Sequence, residues 1–169
     1  MDHLIFTPIN FENHASLCVK FRADSFLESF GTTEPFFEVD TDGVQYIEWL
    51  KGRIGATYNG LHIWYQGNII GQLELGRRKI EDNFGYVNLY YLIPEVRGKG
   101  FSSNLDEFAT SYLKGLGYRK ARLSVSPTNK RAIRFYLKNG WNDLGITSDV
   151  SQIGKGLKFP VIYMEKIFD

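Results

Sequence analysis

A chain of 169 residues can bury one core of ordinary size and is short for two, so positions 1–169 are read as a single domain. Hydrophobic residues at 43% and charged residues at 23% exclude a disordered or fibrous chain, and a formal charge of +1 from scattered basic residues excludes the concentrated basic face of a nucleic-acid binder. Cys18 is the only cysteine, which excludes an internal disulfide or a multi-cysteine zinc site; neither a basic-flanked leader nor a run of bilayer-spanning length occurs, so a cytoplasmic protein without membrane contact is expected.

The stretch His3 to Ile9 reads as a short first strand, ended by Pro8 and Asn10. A helix is predicted from about Asn13 to Phe30, with Gly31 as its stop, and a second from Asp42 toward Gly55. Between them, Glu34, Pro35, Phe36, Phe37, Glu38, Val39 and Asp40 form an acidic, aromatic loop. From Leu61 the pattern changes to period two: Leu61 to Tyr65 and Asn68 to Gly76 form a hairpin, and Phe84 to Ile93 its antiparallel partner, ended by Pro94. Phe101, Leu105, Phe108, Ala109, Tyr112, Leu113 and Leu116 then mark an amphipathic helix. Ala121 to Ser126 reads as a strand and Thr128 to Asn139 as a helix. Trp141 to Ile146 and Val161 to Phe168 read as closing strands, with Thr147 to Lys158 a long loop between them. The predicted fold is α+β, a mixed, mostly antiparallel sheet of about seven strands with helices on both faces.

The segment joining the Phe84 strand to the long helix is Val96, Arg97, Gly98, Lys99, Gly100, Phe101 and Ser102. Two glycines let the main chain bend sharply and approach a ligand, and the first N–H groups of the helix lie unpaired at the positive end of its dipole. A phosphate or pyrophosphate is the natural guest, with Arg97 and Lys99 adding charge and Ser102 a hydroxyl. The spacing matches neither the mononucleotide P-loop nor the Gly-x-Gly-x-x-Gly dinucleotide turn, because position 103 is Ser. Taken alone, this turn reads equally as a solvated glycine loop. Downstream, Asn129 and Tyr136 stand seven residues apart, about two helical turns, and so share a face.

With these two motifs the chain resembles the GNAT N-acetyltransferase superfamily. Arg97, Gly98, Lys99, Gly100, Phe101 and Ser102 match its Arg/Gln-x-x-Gly-x-Gly/Ala turn, with Ser102 in place of the last small residue. Asn129, Ala132, Phe135, Tyr136 and Gly140 match its Asn-x-x-Ala-x-x-Phe-Tyr-x-x-x-Gly helix, with Trp141 in the aromatic position. The resemblance covers about Phe84 to Ile146. It implies an acetyl-CoA-dependent enzyme in which a primary amine of a small molecule or peptide attacks the thioester directly in a ternary complex. The main-chain amides of residues 96–102 would hold the coenzyme A pyrophosphate, Leu92 and Ile93 would pair with the pantetheine arm as an added strand, Asn129 would hydrogen-bond that arm, and Tyr136 would protonate the leaving thiolate.

The base that takes the amine's proton is less visible in the sequence. Glu74 is the first candidate, alongside the reading of a structural strand carboxylate, and Asn88 and Tyr90 are candidates to orient an amine or a water. His3 and His62 assemble no metal cluster, and no metal is expected. Glu34, Glu38, Asp40 and the rings of Phe36 and Phe37 would favour a cationic acceptor if that loop met it. A monomer or homodimer is expected. The alternative function is a non-catalytic acyl-CoA sensor or scaffold on the same fold.

Overall fold

The computed structural model describes residues 3–153 and 157–169. Its elements in chain order are β1 (Ile5–Pro8), α1 (Phe11–Phe30), α2 (Glu34–Val39), α3 (Val44–Arg53), β2 (Tyr58–Tyr65), β3 (Asn68–Gly76), β4 (Gly85–Leu92), α4 (Phe101–Gly115), β5 (Lys120–Val125), α5 (Lys130–Lys138), β6 (Asn142–Ile153) and β7 (Leu157–Ile167). The seven strands form one open sheet in the order β1-β2-β3-β4-β5-β7-β6, antiparallel everywhere except between β4 and β5. This is the mixed α+β sheet read from the sequence.

Alternation along the strands divides the core in two. Leu73, Leu75 and Val87 point to the face covered by Leu105, Ala109 and Leu113 of α4, where Tyr136 of α5 also packs. Leu89 and Tyr91 point to the other face, against Phe21 of α1, and α1, α2 and α3 build a further cluster there around Phe26, Phe36, Tyr46 and Leu50. The helices are terminated locally. Asn10 caps α1 by accepting from the Asn13 N–H, and Gly31 ends it in the left-handed region at φ 74°, where a side chain would be strained.

Two segments differ from the sequence reading. The acidic aromatic stretch is the short helix α2 rather than a loop, because Pro35 sits in its first turn and Phe36, 1% exposed, is drawn into the rings of Phe26 and Tyr46. The predicted loop from Thr147 to Lys158 is largely strand: β6 and β7 continue as one hairpin with Thr147 opposite Val161, Val150 opposite Phe159 and Ile153 opposite Leu157. The Ser residues there suggested irregular chain, but β6 carries them in strand with register shifts between Thr147 and Val150 and between Ser151 and Ile153. Positions 154–156 of that predicted loop lie outside the described residues.

The feature that positions the site is the parting of β4 from β5. They pair only at Gly85 with Ala121 and Tyr86 with Arg122. Beyond Tyr86 each strand stays with its outer neighbour, β4 with β3 as far as Leu92 and β5 with β7 along its whole length. In β4 the register shifts: Val87 faces Leu75 and Leu89 faces Glu74, so Asn88 is an extra, bulged residue. A bulge bends its strand and adds twist, here where the two inner edges separate.

Candidate active site

Between the parted strands lies a cavity of about 370 Å³. β4 lines one wall from Asn88 to Leu92, β5 the other from Ser124 to Ser126. Val96, Arg97, Gly98 and Ser102 close one end, Tyr136 lies further along, and the C-terminal half of α1 covers the opening with Arg22, Ser25, Phe26 and Glu28.

At the turn, Gly98 and Gly100 have φ of 75° and 89°. A Cβ at either would meet nothing within 4 Å, so backbone conformation rather than space calls for glycine. The N–H groups of residues 98–102 have no hydrogen-bond partner among the described residues; the first such bond of the helix start is Ser103 N–H to Gly100 O at 3.3 Å. Together with the dipole of the fifteen-residue helix α4, they form an anion cradle. Lys99 is exposed and has no ion pair among the described residues, and Phe101 turns its ring onto Tyr65 at 4.7 Å instead of toward the cavity. Arg97 is not the mobile charge suggested by its place in the motif. Its Nε donates to Leu92 O at 2.7 Å, its Nη1 pairs with Glu28 at 2.8 Å, and the other oxygen of Glu28 reaches Arg131 at 3.2 Å.

Along β4, Ile93 donates its N–H to Ile70 O, so by alternation Leu92 turns its main-chain groups away from β3; its carbonyl is taken by Arg97 and its N–H stays open among the described residues. Ile93 is absent from the cavity wall, while Leu92 is on it. Asn129 is the N-cap of α5 rather than an interior helix residue. Its Oδ1 accepts from Ala132 N–H at 3.2 Å, and the residue is part of the cavity wall.

Tyr136 is 9% exposed, in contact with the rings of Tyr90 at 5.8 Å and Trp141 at 5.9 Å. Burial pushes its pKa above the ordinary phenol value, and nearby Asp106 and Tyr86 push it further, so the group stays protonated through neutral pH. Tyr90 gives its hydroxyl proton to Asp106 at 3.1 Å, whereas Tyr136 has no acceptor among the described residues. Asp106 is the functional residue that the sequence reading missed. Buried on α4, it also accepts from Trp141 Nε1 at 2.9 Å and pairs with Lys166 at 2.7 Å, and so fixes both rings that flank Tyr136. The signal was present, since Asp106 stands three residues before Ala109 and seven before Leu113, on the apolar face of the helix.

Glu74 lies off the cavity wall. Fully buried between the sheet and α1 and α3, its Oε1 accepts from the Tyr46 hydroxyl and from Gln72 Nε2 at 2.8 Å, while Oε2 has no partner among the described residues. The same network continues from Gln72 Oε1 to His62 Nε2 at 3.2 Å and from there to Cys18 Sγ at 3.5 Å. Burial pushes the Cys18 thiol up to about 12, with Glu74 adding to it, and pulls His62 down to about 4. His62 therefore stays neutral in the folded chain while it titrates near 6.5 when unfolded. Its contribution to stability is complete above pH 6.5 and disappears as pH falls toward 4. Urea unfolding of the wild type between pH 7 and 4.5 should show stability falling with a slope approaching ~1.4 kcal/mol per pH unit from this group, and His62→Gln should lack that component.

Of the acidic aromatic segment, Asp40 is 3% exposed and caps α3 through Gln45 and Tyr46 N–H, and Phe36 is core; neither lines the cavity. Glu34 is exposed, and the side chain of Glu38 lies outside the described residues. No group of three or more His, Cys, Asp or Glu that could hold a metal occurs among the described residues, and no helix there is long and apolar enough to cross a membrane.

The open mixed sheet parts around a cavity whose wall includes Gly98 and Ser102 of the glycine turn and the buried phenol of Tyr136. Residues 23–141 match the model of the acetyltransferase (GNAT) family, and the chain belongs to that family. No curated protein is matched. Similar solved structures include the ribosomal-protein-alanine N-acetyltransferase of Brucella melitensis, with 16% identity, 97% of this chain and 99% of that one covered, and a TM-score of 0.73. A Salmonella typhimurium protein whose structure holds its cofactor acetyl-CoA has 17% identity over 99% of this chain and 95% of its own, with a TM-score of 0.72. Spermidine N-acetyltransferase of Vibrio cholerae, in complex with CoA and spermine, has 17% identity over 97% and 95%, with a TM-score of 0.66. At these identities the likeness establishes the fold.

Proposed function

We propose that the chain is an N-acetyltransferase that moves the acetyl group of acetyl-CoA to a primary amine of a small molecule or peptide within a ternary complex. The observation that carries this reading is the single cavity wall that runs from the unpaired N–H groups of the glycine turn to the unengaged hydroxyl of Tyr136. A long ligand with a diphosphate and a thioester at opposite ends matches that wall, and one of the similar structures holds acetyl-CoA.

In this reading the N–H groups of residues 98–102 bind the pyrophosphate, and Leu92 and Asn129 Nδ2 hydrogen-bond the amide-bearing arm on the free edge of β4. The neutral amine attacks the thioester carbonyl; a C–N bond forms, the C–S bond breaks, and the thiolate leaves. Tyr136 supplies the thiolate's proton. Its pKa, raised by burial, keeps the hydroxyl protonated and so able to donate as charge develops on the sulfur. The amine's proton leaves in the opposite direction. Glu74 lies off the wall and is not placed to take that proton directly, so the proton passes to solvent water.

Thiol release from acetyl-CoA, followed across amines, aminoglycosides, amino acids and peptides with coenzyme binding measured in parallel, tests the proposal. Release that depends on an acceptor supports it. Tight binding with no release from any acceptor would instead support the sensor, for which nothing in the geometry speaks more strongly than for the enzyme.

A further inference from the structure

The cavity wall carries four charged side chains, and they fall into two groups. Glu28, Arg97 and Arg131 form one closed cluster at the turn end, with the carboxylate bridging both guanidinium groups at 2.8 and 3.2 Å. Arg22 stands apart from them. Its Nη1 lies 3.4 Å from the carbonyl oxygen of Asn88, which places it at the β4 bulge, and it has no carboxylate at ion-pair distance among the described residues. Asp24 and Glu74 are engaged elsewhere and lie off the wall: Asp24 accepts from the Tyr91 hydroxyl at 2.7 Å, and Glu74 accepts from Tyr46 and Gln72.

Arg22 is also held in place. Its guanidinium carbon lies 5.7 Å from the centre of the Phe26 ring and 5.8 Å from that of Tyr46, and its Nη1 reaches the Asn88 carbonyl. A planar cation fixed between rings keeps its fork of donors oriented before a ligand arrives, and that fork matches a carboxylate bidentately. With three arginines and one already paired glutamate, the wall carries a positive excess and offers a cationic acceptor no free carboxylate.

We propose that the acceptor is an amine bearing a carboxylate, of the amino-acid type, and that Arg22 is the residue that binds the carboxylate. This rests on the transferase reading above and makes it specific: Arg22 fixes the anionic end of the acceptor beside Asn88, so that its amine is presented to the thioester near Tyr136. It also replaces the cationic acceptor expected from the acidic aromatic segment, since Phe36 and Asp40 of that segment are committed to the core and to the cap of α3.

The test uses thiol release by the wild-type chain with common amino acids, each set beside its amide and its decarboxylated amine, together with calorimetric binding of acetyl-CoA. The free amino acid is expected to exceed both of its partners in kcat/KM by about 10- to 100-fold, the range of a charge-assisted bidentate bond. Arg22→Gln should raise KM for the amino acid by a similar ~10- to 100-fold and Arg22→Lys by less, with acetyl-CoA affinity unchanged in both. Amides, decarboxylated amines or peptide N-termini used as well as free amino acids would overturn the proposal while leaving the transferase reading intact. So would an Arg22→Gln chain that loses the same factor with every acceptor. Acetyl-CoA bound but never consumed would overturn the transferase reading, and this inference with it. The wild-type comparison decides the matter even if neither variant folds.

Discussion

Tyr136→Phe is expected to lower kcat by about 10²- to 10⁴-fold, the usual contribution of a positioned proton donor, while acetyl-CoA affinity changes by less than ~3-fold. The substitution deletes only the hydroxyl. The ring keeps its contacts with Tyr90 and Trp141, and no hydrogen bond among the described residues is lost, so unfolding should be nearly unchanged. Stopped-flow thiol release under single-turnover conditions is the right measurement, because it isolates the bond-breaking step from product release. Tyr90→Phe is the control. That hydroxyl already faces Asp106, and its loss should act on stability more than on the chemical step.

Asp106→Ala carries the largest expected effect on stability. The carboxylate is 2% exposed and serves three donors: the Tyr90 hydroxyl of β4, the Trp141 indole N–H from the turn before β6 and the Lys166 ammonium of β7. Truncating it leaves a mostly buried ammonium and two donors without their acceptor, a change that costs about 3–5 kcal/mol. For a domain of this length, that corresponds to a fall in Tm of roughly 6–20 °C. Asp106→Asn retains an acceptor oxygen for Tyr90 and Trp141 and loses only the charge opposite Lys166, so calorimetric melting should place it between wild type and alanine.

The fold was legible where a single physical rule decides a segment. The hairpin of Leu61–Tyr65 with Asn68–Gly76, the amphipathic α4 and the glycine stop at Gly31 follow from residue period and from glycine's tolerance of positive φ. It was illegible where tertiary packing overrides local composition. Phe36 and Asp40 look like a solvated acidic loop, yet one fills the core and the other caps α3. The Gly- and Ser-containing stretch after Ile146 looks like a loop, yet β6 and β7 pair through it.

The site divides in the same way. Two glycines and a helix start announce an anion cradle because the backbone supplies the chemistry, and those signals sit in one short segment. Through their side-chain hydrogen bonds Arg22, Asp106 and Glu28 act on partners 16 to 103 positions distant, which no local spacing reveals. Glu74 shows the converse. Its place on the Asn68–Gly76 strand suggested a base for the amine, while the side chain points into the buried network of Tyr46, Gln72 and His62.

The most direct test of the site as a whole is a crystal structure of the chain grown with coenzyme A. The predicted result places the pyrophosphate within hydrogen-bond distance of the main-chain N–H groups of residues 98–102, the pantetheine along the free edge of β4 beside Leu92 and Asn129, and the sulfur within reach of the Tyr136 hydroxyl. Coenzyme bound outside the space between β4 and β5, or with its sulfur directed away from Tyr136, would contradict it.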